Sequence, residues 1–163
     1  MNVLLAVDGS EQSRAAVDAL ASRPWPEGTN VRVLYVIPSP MLAPPMPEPP
    51  PALAIGPAAP IWPPAVMEMR KEFGQQADTL VSRIAQELEA QGLAADKSVH
   101  EGDPRTEIVE EAKRWPADLI VVGSHGYTGL KRWLLGSVAQ SVVSHAPCSV
   151  EIVRKRPPEK RSA

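Results

Sequence analysis

Leu119-Ile120-Val121-Val122-Gly123-Ser124-His125-Gly126 runs on through Tyr127-Thr128-Gly129-Leu130-Lys131-Arg132-Trp133-Leu134-Leu135 to Gly136-Ser137. Its first four residues are apolar and mostly β-branched, so they read as a buried strand, and the pattern that holds Val138, Ser141 and Val142 reads as a helix. Glycine has no Cβ, so it can take positive φ and let an anion approach the main chain, where successive N–H groups form a concave nest. A helix starting at Gly136-Ser137 aims its unpaired amides and the positive end of its dipole at the same place. Ser137 either caps that helix or donates its hydroxyl to a phosphate oxygen, and sequence does not separate the two roles. Strand, glycine turn and helix N-terminus in this order are the parts of an α/β fold with a phosphate cradle.

Working outward, the same grammar recurs. Val3 to Val7 reads as a strand, and Asp8-Gly9-Ser10 supplies turn residues and an N-cap before a helix through Ala15, Ala16, Ala19 and Leu20. Pro24 to Gly28 ends that helix, and Val31 to Ile37 is rich in β-branched residues, a second strand stopped by Pro38. From 38 to 64 the chain is crowded with proline, which removes donors and fixes φ, so an extended loop is expected there: a solvated insertion, a ligand for a partner, or a flap. Met69, Phe73, Ala77, Leu80, Ile84 and Leu88 then share one helical face, with Gly92 as the stop. Lys97 to His100 is a weak short strand, Asp103-Pro104 opens a helix carrying Ile108, Val109 and Ala112, and Ser149 to Val153 is a last strand. Residues 155–163 form a polar, basic tail.

Five strands alternating with helices imply a parallel sheet with helices on both faces and right-handed crossovers, in one domain over residues 1–154. Ligands of such sheets bind at the carboxyl ends of the strands, near a switch in strand order, where Asp8, Ile37 and Gly123 fall. At 163 residues, one core suffices. A net charge of −2 provides no field to recruit nucleic acid or an anionic membrane, so an anion site has to be local. One cysteine excludes an intrachain disulfide, and His100, His125 and His145 lack metal-ligand spacing. Neither a signal peptide nor a bilayer-spanning segment is recognisable, which makes cytoplasm the expectation.

The spacing Gly123-x-x-Gly126, nine residues, then Gly136-Ser137 resembles the nucleotide-binding signature of the universal stress protein family. The resemblance extends from Val3-Leu4-Leu5-Ala6-Val7-Asp8-Gly9-Ser10 to Ala146-Pro147-Cys148-Ser149-Val150, leaving out the Pro-rich insert and the tail. It implies a Rossmann-like, adenine nucleotide alpha hydrolase-type fold and ATP as ligand, with Mg²⁺ or Mn²⁺ held through the phosphates. It also implies a homodimer formed through the last strand, where Glu151 departs from the usual apolar pattern. By the same resemblance, Gly123, Gly126, Gly136 and Ser137 surround the phosphates, Asp8 contacts the nucleoside, and the main chain of Val36 meets the adenine. An Asx-turn at the Asp-Gly-Ser corner is the alternative for Asp8. Lys131 and Arg132 are either phosphate partners or a solvated pair. Neither a P-loop nor a dinucleotide fingerprint is present, and no residue is committed to positioning a hydrolytic water, so binding with little turnover is expected. The alternatives are a nucleotide-independent dimeric interaction module and a slow ATPase or phosphotransferase.

Overall fold

The computed structural model describes residues 1–38, 64–126 and 135–154. Lys131, Arg132, the tail from 155 and all of the Pro-rich insert except Pro38 and Pro64 lie outside these residues. The elements in chain order are β1 (Asn2–Val7), α1 (Glu11–Ala21), β2 (Asn30–Pro38), α2 (Pro64–Ala90), β3 (Ala94–Gly102), α3 (Pro104–Arg114), β4 (Leu119–Gly123), α4 (Ser137–His145) and β5 (Ser149–Val153). The strands form one parallel sheet in the order β3-β2-β1-β4-β5.

The sheet grows to one side of β1 and then to the other, and this reversal decides where the helices lie. With crossovers of constant hand, the two sides of the switch put their helices on opposite faces. Accordingly, α1 and α2 pack through Ala16, Val17, Leu20, Val81, Ile84 and Leu88 against Val3, Leu5 and Val33. On the other face α3 and α4 pack through Ile108, Ala112, Ala139 and Val142 against Leu4, Ala6, Leu34 and Ile120. A central strand covered on both faces has no polar side, which is why β1 reads as an unbroken apolar run.

The weak strand expected at Lys97 to His100 is nine residues long, paired with β2 from Asn30↔Ala94 to Pro38↔Gly102. Its apolar signal is poor because it is an edge strand, and its side chains meet charges instead. Asp96 pairs with Arg32 at 2.6 Å, Lys97 with Asp78 at 2.8 Å, and Glu101 with Arg70 at 2.6 Å. Such charges also discourage edge-to-edge association. In α2 the expected stripe is displaced slightly: Ala77, Ile84 and Leu88 are buried together with Val66, Val81 and Ala85, while Met69, Phe73 and Leu80 are half-buried. Gly92 does stop the helix region, at φ 85°.

Asp103 caps α3 by accepting the Arg105 N–H at 2.9 Å, with Pro104 in the first turn. That hydrogen bond, followed by the Arg105 side chain, holds the Asp103 carboxyl below its ordinary range. Replacing Asp103 with alanine is expected to cost about 1 kcal/mol. The stabilisation is complete above the unfolded aspartate value, near pH ~4, and is lost as pH falls through the lowered folded value. Thermal melts of the variant and the parent protein therefore differ at pH 6 and converge in strong acid.

Candidate functional site

The reversal between β1 and β4 opens a crevice at their carboxyl ends. On the β1 side, Asp8 follows the strand directly, Gly9 turns the chain at φ 81°, and Ser10 caps α1 by accepting the Ser13 N–H at 3.2 Å. One oxygen of Asp8, Oδ1, accepts the Ser10 N–H at 2.9 Å, so the Asx-turn is real. The other oxygen lies across the glycine loop: a Cβ on Gly126 would stand 2.6 Å from Asp8 Oδ2. Asp8 thus shapes its own corner with one oxygen and holds the second over the loop.

The glycines serve close approach rather than an unusual backbone. Among the described glycines positive φ is confined to Gly9, Gly28, Gly92 and Gly102, none of them in the spaced motif. At Gly123 a Cβ would meet the backbone of α1, 2.8 Å from Gln12 C and 2.9 Å from Ser13 N, because β4 ends under the first turn of that helix. At Gly136 a Cβ would lie 3.2 Å from both His125 Cα and Ser124 O. Gly136 N–H donates to the Ser124 carbonyl at 2.8 Å, and Ser124 N–H donates to the Val153 carbonyl at 2.9 Å. The returning end of the loop is therefore laid directly on its outgoing end.

Ser137 is not the cap of α4. The N-cap is Gly136, no side chain bonds to the first turn, and Ser137 is an exposed first helical residue. A side chain at Gly136 would crowd Ser124 and His125 at 3.2 Å, and with glycine at the cap position the first-turn amides have no capping oxygen.

Between these parts lies a cleft of about 520 Å³ that all six candidate residues, Asp8, Val36, Gly123, Gly126, Gly136 and Ser137, help to line. Its size falls within the range of small-molecule sites. Ala6, Leu34, Val36 and Val122 from the sheet, with Ile108 of α3 and Val138 of α4, make an apolar wall. The polar groups gather at Asp8, the glycine loop and Ser137. Val36 is 8% exposed, its side chain in the core of the α3 and α4 face. Pairing between β1 and β2 stops at Val7↔Tyr35, while β2 continues to Pro38 along β3 alone. The main chain of β2 beyond Tyr35 therefore has no β1 neighbour. Among the described lining residues Asp8 is the only carboxylate, and there is no lysine or arginine.

His125 also lines the cleft. Its Nδ1 lies 3.2 Å from Ser124 Oγ, and its Nε2 is buried without a hydrogen-bond partner. Leaving a buried polar atom unpaired costs about 1–3 kcal/mol. His145 instead places Nδ1 2.8 Å from the Ser141 carbonyl, and His100 sits among Ser98, Glu107 and Arg114 on the edge strand β3. Burial and then Asp118 push the Cys148 thiol up, so it is a poor nucleophile at neutral pH.

The model of the universal stress protein family matches residues 1–154. The chain belongs to that family. A universal stress protein of Synechocystis sp. is 31% identical over 157 residues, covering 93% of this chain and 96% of the relative. One from Methanocaldococcus jannaschii is 46% identical over 90 residues, 55% of this chain and about half, 51%, of the relative. Among solved structures, another M. jannaschii protein superposes with a TM-score of 0.77 at 25% identity, covering 95% of this chain and 96% of its own. A universal stress protein family member from Arabidopsis thaliana with AMP bound has a TM-score of 0.65 at 18% identity, over 99% and 96% of the two chains. A universal stress protein in complex with cAMP has a TM-score of 0.59 at 21% identity, over 94% and 96%. The five-stranded parallel α/β architecture is thus the universal stress protein fold. No helix among the described residues is long and apolar enough to cross a membrane.

For this universal stress protein, sequence reasoning reached the polar side of the cleft and Val36 on its apolar side, and missed the rest of the apolar wall. Ile108, Pro104 and Val138 carry ordinary helix-face signals, and only the fold reveals that the sheet end leaves them facing a cavity. The unpaired nitrogen of His125 had one usable signal, the position of a titratable side chain between two spaced glycines.

Proposed function

We propose that the cleft binds an adenine nucleotide, ATP above all, and that the chain acts as a nucleotide-dependent module in a stress response or in signalling. The observation that carries this reading is the junction of an apolar wall with a loop where added Cβ atoms would meet neighbours at 2.6 to 3.2 Å. A flat apolar base suits the wall of Val36, Ile108 and Val122. Asp8 Oδ2, in reach of the loop, is an acceptor suited to ribose hydroxyls. The first-turn amides of α4 and the Gly126 main chain suit phosphate oxygens, and the exposed Ser137 hydroxyl is free of capping duty. Mg²⁺ or Mn²⁺ would ride on the phosphates. Binding rather than turnover is the activity proposed, in the cytoplasm.

Displacement of a fluorescent adenine nucleotide from purified protein tests the reading. ATP, ADP, AMP and cAMP are expected to compete at one site while guanosine compounds compete poorly; no saturable binding of the fluorescent nucleotide refutes it.

A homodimer through β5 is part of the same proposal. Glu151 does not oppose it, because its carboxylate is held by Arg23 at 2.5 and 2.7 Å on the α1 face of the sheet, with Arg23 5.5 Å from the Trp25 ring centroid. Val150 and Ile152 face the opposite core. The charge is thus answered within the chain and leaves the backbone edge available. Light scattering is expected to give twice the chain mass, and a monomer at all concentrations removes the dimer.

A further inference from the structure

We propose that His125 is a ligand-responsive residue of the cleft, pairing as an imidazolium with an anionic oxygen of the bound molecule and making affinity for phosphorylated ligands depend on pH. The inference rests on the nucleotide reading and names a regulation of that site.

Three observations carry it. The Nε2 atom is buried and unpaired, a condition that few buried polar atoms in folded proteins show. Among the described residues the ring has one hydrogen-bond contact, Nδ1 at 3.2 Å from Ser124 Oγ, and the torsion joining ring to Cβ is soft. His125 is itself a lining residue of the cleft, so a turn about that torsion changes which ring atoms meet a ligand there. The backbone beneath it is fixed, since Gly136 is packed on His125 Cα and bonded to the Ser124 carbonyl.

The chemistry of the surroundings selects the partner. The anion-binding parts of the cleft are neutral main-chain amides, and no lysine or arginine is among the described lining residues. His125 is the one described lining side chain able to gain positive charge near neutral pH. Ser124 touches the ring itself; the titratable or polar groups that share the cleft with it are Asp8 at the end of β1, Ser13 of α1, Tyr35 of β2 and Ser137 of α4, while α3 lines it with Pro104 and Ile108. Asp8 is the single charge among them. A phosphate oxygen supplies a negative partner, so binding draws a proton from solvent onto the ring, and a charge-assisted hydrogen bond forms. A purely apolar or uncharged ligand gives no such coupling.

The test is calorimetry of AMP and of adenosine between pH 5.5 and 8.5, on the parent protein and on His125→Gln, with the imidazole proton resonances of the parent followed by NMR. AMP affinity of the parent is expected to fall on the order of 10-fold more from low to high pH than that of His125→Gln, in keeping with one charge-assisted bond. The variant retains the titration of the phosphate itself. Adenosine affinity is expected to be flat in both, and the His125 titration is expected to move to higher pH when AMP is added. Equal pH profiles in the two proteins, or a His125 titration indifferent to AMP, overturn the proposal while leaving the cleft reading intact. If neither AMP nor adenosine binds at any pH, the cleft reading itself falls and this proposal with it. Should His125→Gln fail to fold, the NMR titration of the parent decides alone.

Discussion

Replacing Gly126 with alanine is expected to weaken nucleotide binding roughly 10- to 100-fold, the worth of one hydrogen bond to a charged group, while leaving the fold standing. The added Cβ would stand 2.6 Å from Asp8 Oδ2. That oxygen is the end of a flexible side chain, so it yields, and it moves away from the place where it faces the loop. Gly126 is not in the left-handed region, so alanine meets no backbone penalty there. Denaturation midpoints should therefore stay close to those of the parent as affinity falls. Gly123→Ala is a poorer experiment, because its Cβ meets the α1 main chain at 2.8 Å and the strain spreads into the core. Overpacking of that kind costs about 1–3 kcal/mol. Parental affinity in a folded Gly126→Ala protein would show that Asp8 does not touch the ligand.

The largest loss of stability among these substitutions is expected at Arg32, where alanine should cost about 3 kcal/mol. Glu111 lies on α3 and its side chain is only 5% exposed. Arg32 reaches it at 3.0 Å, holds Asp96 at 2.6 Å, and sits 4.6 Å from the Trp115 ring centroid. Removing one partner of a buried ion pair strands the other, a loss of about 3–5 kcal/mol. Here Arg114, 3.0 Å from Glu111, still answers the carboxylate and moderates the loss. The lost stacking on Trp115 adds about 0.5–1 kcal/mol. Arg32→Lys keeps a charge but neither the fork nor the planar stack, so it should fall between the two. Denaturant titration checks both variants. A loss under about 1 kcal/mol for the alanine protein would put the cluster among ordinary solvated pairs.

What could be read from the chain depended on how many neighbours each signal needed. Val3 to Val7 and Leu119 to Val122 announce themselves because central strands are apolar on both faces. Lys97 to His100 hid most of β3, since an edge strand that pairs through its backbone and answers charges with its side chains carries no apolar alternation. The spaced glycines located the loop, yet their reason lay elsewhere: Gly123 clears α1, Gly126 clears Asp8, and Gly136 clears the outgoing loop. None of these partners is a sequence neighbour. Ser137 illustrates the same limit from the other side: the helix does start there, but the cap position falls on Gly136, which is bonded to Ser124 across the loop. Asp8 carried two readings in the sequence, and the structure gives a separate oxygen to each side of the corner. Glu111 offered no hint of burial, as its partners come from β2, β3 and the end of α3.

The most direct test of the central claim is calorimetric titration of ATP, with Mg²⁺, into protein stripped of any nucleotide, repeated with ADP and AMP. The account predicts saturable binding of one nucleotide per chain, strongest for ATP. Absence of binding by all three, with each nucleotide carried to a large excess over the protein, would contradict it.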